Sequence, residues 1–241
     1  MRTEPGLSQS ASLKRLKDAG LAPATVFDVG VATGTPELYD VFENVRYALI
    51  EPLEESWPFM QSLVARYPGS VAVQAAAGPR SGEANLVVSR NLSGSSLLLP
   101  PKNGAERSVP MVTLDEVAEH HRLQGPHLVK LDVQGYELEV LSGAEAVLGR
   151  TTALIAEVSL WADRKGKGLV EFSTLVAWLR ERDFVLFDIA QIVRREADDA
   201  ITEMDLVFLP AASPLRENTS YKLPGQGEAT AAKRRVKFGL G

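Results

Sequence analysis

With 241 residues, 45% of them hydrophobic and 24% charged, the chain fits one large domain with a sizeable core. It contains no cysteine, which excludes disulfides, thiol catalysis and zinc–thiolate sites. Net charge is −5, but six Lys or Arg against two Glu from Ala211 onward leave residues 1–210 at −9, an acidic body that argues against a general nucleic-acid surface.

No apolar run approaches the ~18 residues of a membrane span. The N-terminus, MRTEPGLSQSASLKRLK, lacks the apolar segment of a signal peptide. A cytoplasmic location without a membrane partner is the expectation. Leu7 to Lys17 sets Leu7, Leu13 and Leu16 on one side of a leading helix, and T25-V26-F27-D28-V29 then reads as a buried strand. Thr35 is placed to cap the next helix, with Pro36 at its first position and Glu37 near the positive end of its dipole. A second strand, Y47-A48-L49-I50, stops at Glu51, and Leu53, Trp57, Met60, Val64 and Tyr67 follow at helical spacing. Residues 71–77, VAVQAAA, read as a third strand closed by Gly78-Pro79.

Residues 80–113 break this rhythm. GEANLVVS and RSVPMVTL are extended segments joined by N91-L92-S93-G94-S95-S96, which predicts a β-hairpin or an added sheet edge. A helix over 115–121 precedes a fourth strand, H127-L128-V129-K130-L131-D132. Gly135 then leads into a helix bearing Leu138, Leu141, Ala144 and Leu148. A153-L154-I155-A156-E157-V158 is a fifth strand. After a helix with Phe172, Leu175 and Leu179 come F184-V185-L186-F187 and D205-L206-V207-F208-L209. Seven strands alternating with helices predict an α/β fold: a mostly parallel, doubly wound sheet with an added hairpin.

In such sheets ligands bind outside the carboxyl ends of the strands, where strand order reverses. Asp28, Gly30, Glu51, Ala77, Asp132 and Glu157 all fall at the ends of successive strands. Carboxylates gathered at one edge of an apolar sheet are hard to explain as core.

The first turn decides between cofactors. Gly30-Val31-Ala32-Thr33-Gly34 puts Ala32 where a dinucleotide fingerprint needs its second glycine, and Gly34 precedes Thr-Pro rather than the Lys-Ser/Thr of a phosphate loop. S-adenosylmethionine, a nucleoside with no phosphate, fits better. Gly30 and Gly34 would admit its amino-acid end, with the helix start beside its carboxylate and Asp28 acting on its ammonium. Glu51 would accept the ribose hydroxyls. Ala76 and Ala77 would leave a slot for adenine beside Pro52 and Leu53. Another nucleotide, or glycines that only make a tight turn, are the alternatives.

The segments F-D-V-G-x-x-x-G, I-E-P, V-P-M-V-T-L-D-E-V, V-K-L-D-V-Q-G-Y-E-L-E-V-L-S-G-A, A-L-I-A-E-V and M-D-L-V-F-L stand in one order over roughly residues 20–212. Together they resemble the FkbM family of class I S-adenosylmethionine-dependent methyltransferases. That resemblance implies a Rossmann-like methyltransferase domain, which with the leading helix takes in 1–212; the charge distribution leaves a basic tail over 213–241. It also implies methyl transfer to a hydroxyl of a sugar, glycan or polyketide-type small molecule. On this chain it assigns Asp28, Gly30, Gly34, Glu51 and Asp132 to the cofactor side. Thr33, in the same loop, is placed on the cofactor side as well, at a position where family members often carry Asn.

Asp132 faces the methyl group in the expected arrangement, but an ordinary Asp, with a pKa near ~3.9, is a poor lone base for an alcohol. A divalent cation bridging Asp132 and Glu157 would help, although two carboxylates make a thin site. A histidine is the other helper: His120, His121 or His127, the last at the wrong end of its strand. Gln134 and Glu137 follow Asp132 and would orient substrate or cap the next helix. The loop at 91–96 would reach over the strand ends, and Trp161 would wall the acceptor pocket. The tail, with K233-R234-R235-V236-K237, would either stay solvated or dock an anionic partner, in which case the acceptor would be a protein or nucleic acid.

Overall fold

The chain's computed structural model describes residues 2–3, 7–90, 92, 94–98, 105–160, 171–218 and 220. The elements run β1 (Arg2–Thr3), α1 (Gln9–Asp18), β2 (Thr25–Val29), α2 (Pro36–Val41), β3 (Arg46–Ile50), α3 (Trp57–Arg66), β4 (Val71–Val73), β5 (Ala76–Ala77) and β6 (Gly82–Val88). They continue with β7 (Ala105–Val112), α4 (Leu114–His120), β8 (His127–Leu131), α5 (Glu137–Ser142), α6 (Glu145–Leu148), β9 (Thr151–Ser159), α7 (Phe172–Arg180), β10 (Phe184–Arg194) and β11 (Ile201–Pro210).

Strand order in the main sheet is β1-β10-β11-β9-β8-β2-β3-β4. From β4 to β9 the pairs are parallel, while β11, β10 and the two-residue β1 add antiparallel to one side. Alternation along each strand feeds two cores. Phe27, Val29, Val129, Leu131, Leu154 and Leu206 pack against helices α4 to α7, through residues such as Leu114, Leu141 and Leu175. Val26, Leu49, Leu128, Ile155 and Val207 pack against α1 to α3, through Leu13, Leu38 and Met60. Each such buried side chain contributes about 1.5–3 kcal/mol of transfer free energy. Both faces are covered, so the sheet is doubly wound as expected. Among the described residues no helix is long and apolar enough to cross a membrane.

One strand assignment needs correction, and the expected hairpin forms within a larger unit. VAVQAAA is not one strand: Val71–Val73 pairs with β3, whereas Ala76–Ala77 leaves the main sheet and pairs in parallel with Met111–Val112. The expected hairpin, β6 against β7, therefore becomes part of a separate three-stranded sheet, β5-β7-β6. Leu53, Leu86, Val88, Val109 and Met111 give that sheet its own small core. The strand starting at Phe184 also runs on to Arg194, crossing register shifts that bend it along β11.

The topology places the reversal between β2 and β8. From β2 the chain steps outward through β3 to β4, and from β8 it steps the other way through β9. Gly30 donates its N–H to Ile50 O, and Asp132 donates to Val29 O, so three strand ends are stitched together at this point.

Candidate active site

A cavity of about 430 Å³ opens at these carboxyl ends, between the main sheet and the smaller one. That volume lies within the ~300–1,000 Å³ typical of small-molecule sites. Gly30, Ala32, Glu51, Pro52, Leu53, Ala76, Ala77, Asp132, Gln134 and Glu157, all named from the sequence, line it.

Gly30 has to be glycine. Its φ is +82°, and a Cβ there would lie 1.8 Å from the carbonyl oxygen of Asp132. The next loop residue with left-handed backbone is Ala32, at φ 44°. Its N–H is held by Glu51 Oε2 at 2.9 Å, and Glu51 Oε1 accepts from Leu53 N at 2.9 Å. Burial, foremost, raises the Glu51 carboxyl above its usual range, and these two N–H groups counter the rise. Each of its oxygens keeps a further lone pair for a ligand hydroxyl. Beside it, Leu53, Ala76 and Leu86 form an apolar wall.

Three residues assigned to the cofactor side do not line the cavity: Asp28, Thr33 and Gly34. Asp28 is fully buried. Its oxygens accept from Tyr39 Oη at 2.5 Å and Thr35 Oγ1 at 3.2 Å, and Lys130 Nζ stands 3.8 Å away. The hydroxyl of Thr35 is thus taken by Asp28 rather than capping α2, although Thr35 does stand at the N-cap. Thr33 is exposed. Gly34, at φ +97°, leaves room for the Phe59 ring, which a Cβ would meet at 2.3 Å.

Asp132 forms the opposite wall. Its Oδ1 accepts from Gln134 Nε2 at 3.0 Å and its Oδ2 from Lys130 Nζ at 3.2 Å, and it is hydrogen-bonded to the Glu157 carboxyl. Burial by itself would raise Asp132. The Lys130 ammonium first, then Gln134 and Glu157, hold it below the usual carboxylate range. Burial and the Asp132 charge push Glu157 up to about 10, so near neutrality this carboxyl keeps its proton and shares it with Asp132. Burial raises Glu203 as well, with the Asp132 charge adding to it. Asp205 rises to about 6 for the same two reasons.

Gln134 and Gly135 both adopt left-handed backbone, φ 53° and 97°. The turn they make directs the Val133 and Gly135 N–H groups onto buried Glu137, whose carboxyl burial pushes up to about 7. Glu137 therefore organises the loop after β8 and lies outside the cavity lining. None of His120, His121 and His127 lines the cavity. His120 and His121 stack edge to face where α4 ends, and His127 packs edge-on against Phe27 at the far end of β8. Of the loop at 91–96, Leu92, Gly94, Ser95 and Ser96 line the cavity, and Ser96 Oγ donates to Gln134 O at 3.1 Å. Asn91, Ser93, Trp161 and residues 221–241 lie outside the described residues.

Asp132 and Glu157 bond to each other, and Lys130 Nζ stands 3.2 Å from Asp132 Oδ2. Among the described residues no group of three or more His, Asp or Glu could hold a metal ion.

Lys130, Glu203 and Tyr136 escaped the sequence reading. A lysine inside an apolar, doubly covered strand is itself a signal, because it must find a carboxylate partner. Glu203 sits two residues from Asp205, hence on the same strand face, and lines the cavity as a fourth carboxyl, with Glu51, Asp132 and Glu157. Nothing local marks Tyr136 out from an ordinary loop residue.

A family model described as "Methyltransferase FkbM domain" matches residues 28–186. Comparison with proteins of curated function gives no match. Similar solved structures include the 23S rRNA methyltransferase ErmE, at 15% identity over 88% of this chain and 72% of that one, with a TM-score of 0.41. Precorrin-6y C5,15-methyltransferase from Geobacter metallireducens GS-15 aligns at 10% identity over 83% and 85% of the two chains, TM-score 0.39. The 16S rRNA methylase ArmA aligns at 9% identity over 84% and 82%, TM-score 0.38.

Proposed function

The chain belongs to the FkbM methyltransferase family, and from that premise we propose that it moves a methyl group from S-adenosylmethionine to a hydroxyl of a sugar, glycan or polyketide-type small molecule. The observation that carries the cofactor half of this reading is Glu51. It stands at the end of β3, pins the Ala32 and Leu53 backbone, and faces the cavity with acceptor capacity left for a ribose diol. The donor set fits the group in other respects. Leu53, Ala76 and Leu86 offer an apolar slot of adenine character. Asp132, Glu157 and Glu203 line the same cavity, and their carboxyl groups support a cationic ligand there.

S-adenosylmethionine supplies an activated methyl carbon: as the acceptor oxygen bonds to it the carbon–sulfur bond breaks, and S-adenosylhomocysteine leaves. Asp132, held ionised, accepts a hydrogen bond from the acceptor hydroxyl and fixes the direction of its lone pair. Such orientation is worth up to about 7–11 kcal/mol in ideal systems. Because Asp132 is a weak base, it takes the proton late, after the hydroxyl has acidified by bonding to carbon. Gln134 fixes the second Asp132 oxygen. Glu157 donates its proton to the pair and keeps Asp132 in place. Polar groups at this end, from Ser95, Ser96, Gln134 and Tyr136, support a hydroxylated acceptor.

Calorimetry with S-adenosylhomocysteine tests the cofactor half, with binding in the micromolar range expected; no binding at about 1 mM overturns it. Labelled S-adenosylmethionine offered to a panel of neutral sugars, glycans, polyketide alcohols and RNA tests the acceptor. Label entering RNA alone overturns the small-molecule reading.

A further inference from the structure

Lys130 is 5% exposed and sits two residues before Asp132, on the same face of β8 and in register with Asp28 on β2. Its ion pairs run to Asp132 Oδ2 at 3.2 Å and to Asp28 Oδ1 at 3.8 Å. With Tyr39 Oη on Asp28 and Glu157 on Asp132, a polar chain crosses the sheet from α2 through β2 and β8 to β9. A buried ion pair of this kind is weak evidence for stability, because well-packed apolar residues often do as well. Its geometry is selective in another way. The ammonium bears on one member of the Asp132–Glu157 pair.

Two carboxyls in hydrogen-bond contact hold one proton between them over a wide pH range. Which oxygen carries it depends on the surrounding charges. Asp132 is faced by Lys130 on its own strand, Asp28 from β2, Glu51 from β3, Glu137 from α5, Glu157 from β9 and Glu203 and Asp205 from β11. All but Lys130 are carboxyl groups, so the field of this lysine breaks the symmetry of the pair.

We propose that Lys130 is a positioning residue that keeps Asp132 as the carboxylate and places the shared proton on Glu157, thereby choosing which carboxyl receives the acceptor hydroxyl. The acceptor clause rests on the reading under Proposed function; the proton's location does not. Burial raises both carboxyls; the Lys130 ammonium, with the bonds from Gln134 and Glu157, overrides it at Asp132, while the Asp132 charge adds to it at Glu157. During methyl transfer the acceptor's proton then passes to Asp132, while the Glu157 proton stays in its bond to Asp132 and no other proton donor or acceptor is required.

The test is carboxyl ¹³C NMR of the full chain, labelled at Asp and Glu, free of cofactor and acceptor, with Asp132→Asn and Glu157→Gln assigning the two signals. The wild type is expected to show Glu157 protonated and Asp132 ionised at pH 7. Lys130→Met should raise the Asp132 titration by at least about one pH unit, the lower end of the effect of a nearby opposite charge, and Lys130→Arg by less than about half a unit. Asp132 protonated in the wild type, an unmoved titration in folded Lys130→Met, or an equal shift in Lys130→Arg overturns the proposal. Should circular dichroism show Lys130→Met unfolded, wild type and Lys130→Arg decide. Glu157 protonated in both supports the proposal, and Asp132 protonated in either overturns it. Because no methyl transfer is measured, this result stands apart from the calorimetry and labelling above.

Discussion

Glu51 accepts the backbone N–H of Ala32 at 2.9 Å, across the gap between the ends of β3 and β2. One side chain thus shapes the first loop and presents its own carboxylate to the cavity. The two tasks can be separated, because a loop contact needs one acceptor per N–H while a diol needs the lone pairs that remain.

Glu51→Gln should therefore weaken S-adenosylhomocysteine binding at least about tenfold, or 1.4 kcal/mol. The new amide has one accepting oxygen for the two N–H groups of Ala32 and Leu53, so stability should also drop by about 1–3 kcal/mol. Calorimetry and urea unfolding measure the two effects. An unchanged dissociation constant removes Glu51 from the ribose.

The sheet edge was legible because strand-end carboxylates cannot be core: Glu51, Asp132 and Glu157 meet at the cavity as their spacing implied. Asp28 looked the same in the sequence, yet its partners Thr35 and Tyr39 come from α2, and no local pattern reveals that a hydroxyl will turn back onto a strand. The split of VAVQAAA escaped for a related reason. Continuous apolar runs carry no mark of which sheet they join, and the pairing of Ala76 with Met111 is a long-range choice. Lys130 went unread although a lysine in an apolar strand is an anomaly: only a period of two along the strand sets it beside Asp132.

Gly30→Ala should cost about 3 kcal/mol or more. A left-handed alanine is worth about 1–2 kcal/mol of strain, and the clash with the Asp132 carbonyl is relieved only by separating the ends of β2 and β8. Gly82→Ala is the control, since its φ is +151° and no atom lies within 4 Å of the added Cβ. Denaturant unfolding of the two variants should differ clearly; equal losses would mean that the approach of Asp132 to Gly30 is not a tight one.

Tyr39→Phe removes the donor at 2.5 Å from a carboxyl that has no access to water. The loss should be about 1–3 kcal/mol, as for a buried acceptor left short of a partner. Tyr67→Phe removes a hydroxyl that donates to the Tyr39 carbonyl at 3.1 Å, a neutral bond, and should cost about 0.5–1.5 kcal/mol. Chemical denaturation of both variants checks the ordering. A Tyr39→Phe cost no larger than that of Tyr67→Phe would show that Asp28 does not depend on its phenol.

His127 supplies a pH signature at the opposite end of β8. The residue is 1% exposed, Nδ1 finds no hydrogen-bond partner among the described residues, and burial, with Arg150 second, pushes the imidazole down to about 4. The folded chain therefore keeps it neutral where the unfolded chain, with an ordinary value near ~6.5, takes up a proton. Stability is unaffected by this group above pH ~6.5, falls as pH drops from there to about 4, and levels off below. Glu137 and Asp205, raised to about 7 and about 6, act in the opposite sense in the same window, because their folded forms bind protons first. The parent's melting temperature alone mixes the two. His127→Phe keeps an aromatic ring against Phe27 and removes only the imidazole, so the melting temperature of the variant should gain on the parent as pH falls between those limits. A difference that stays flat with pH would mean that the imidazole is not held neutral in the folded chain.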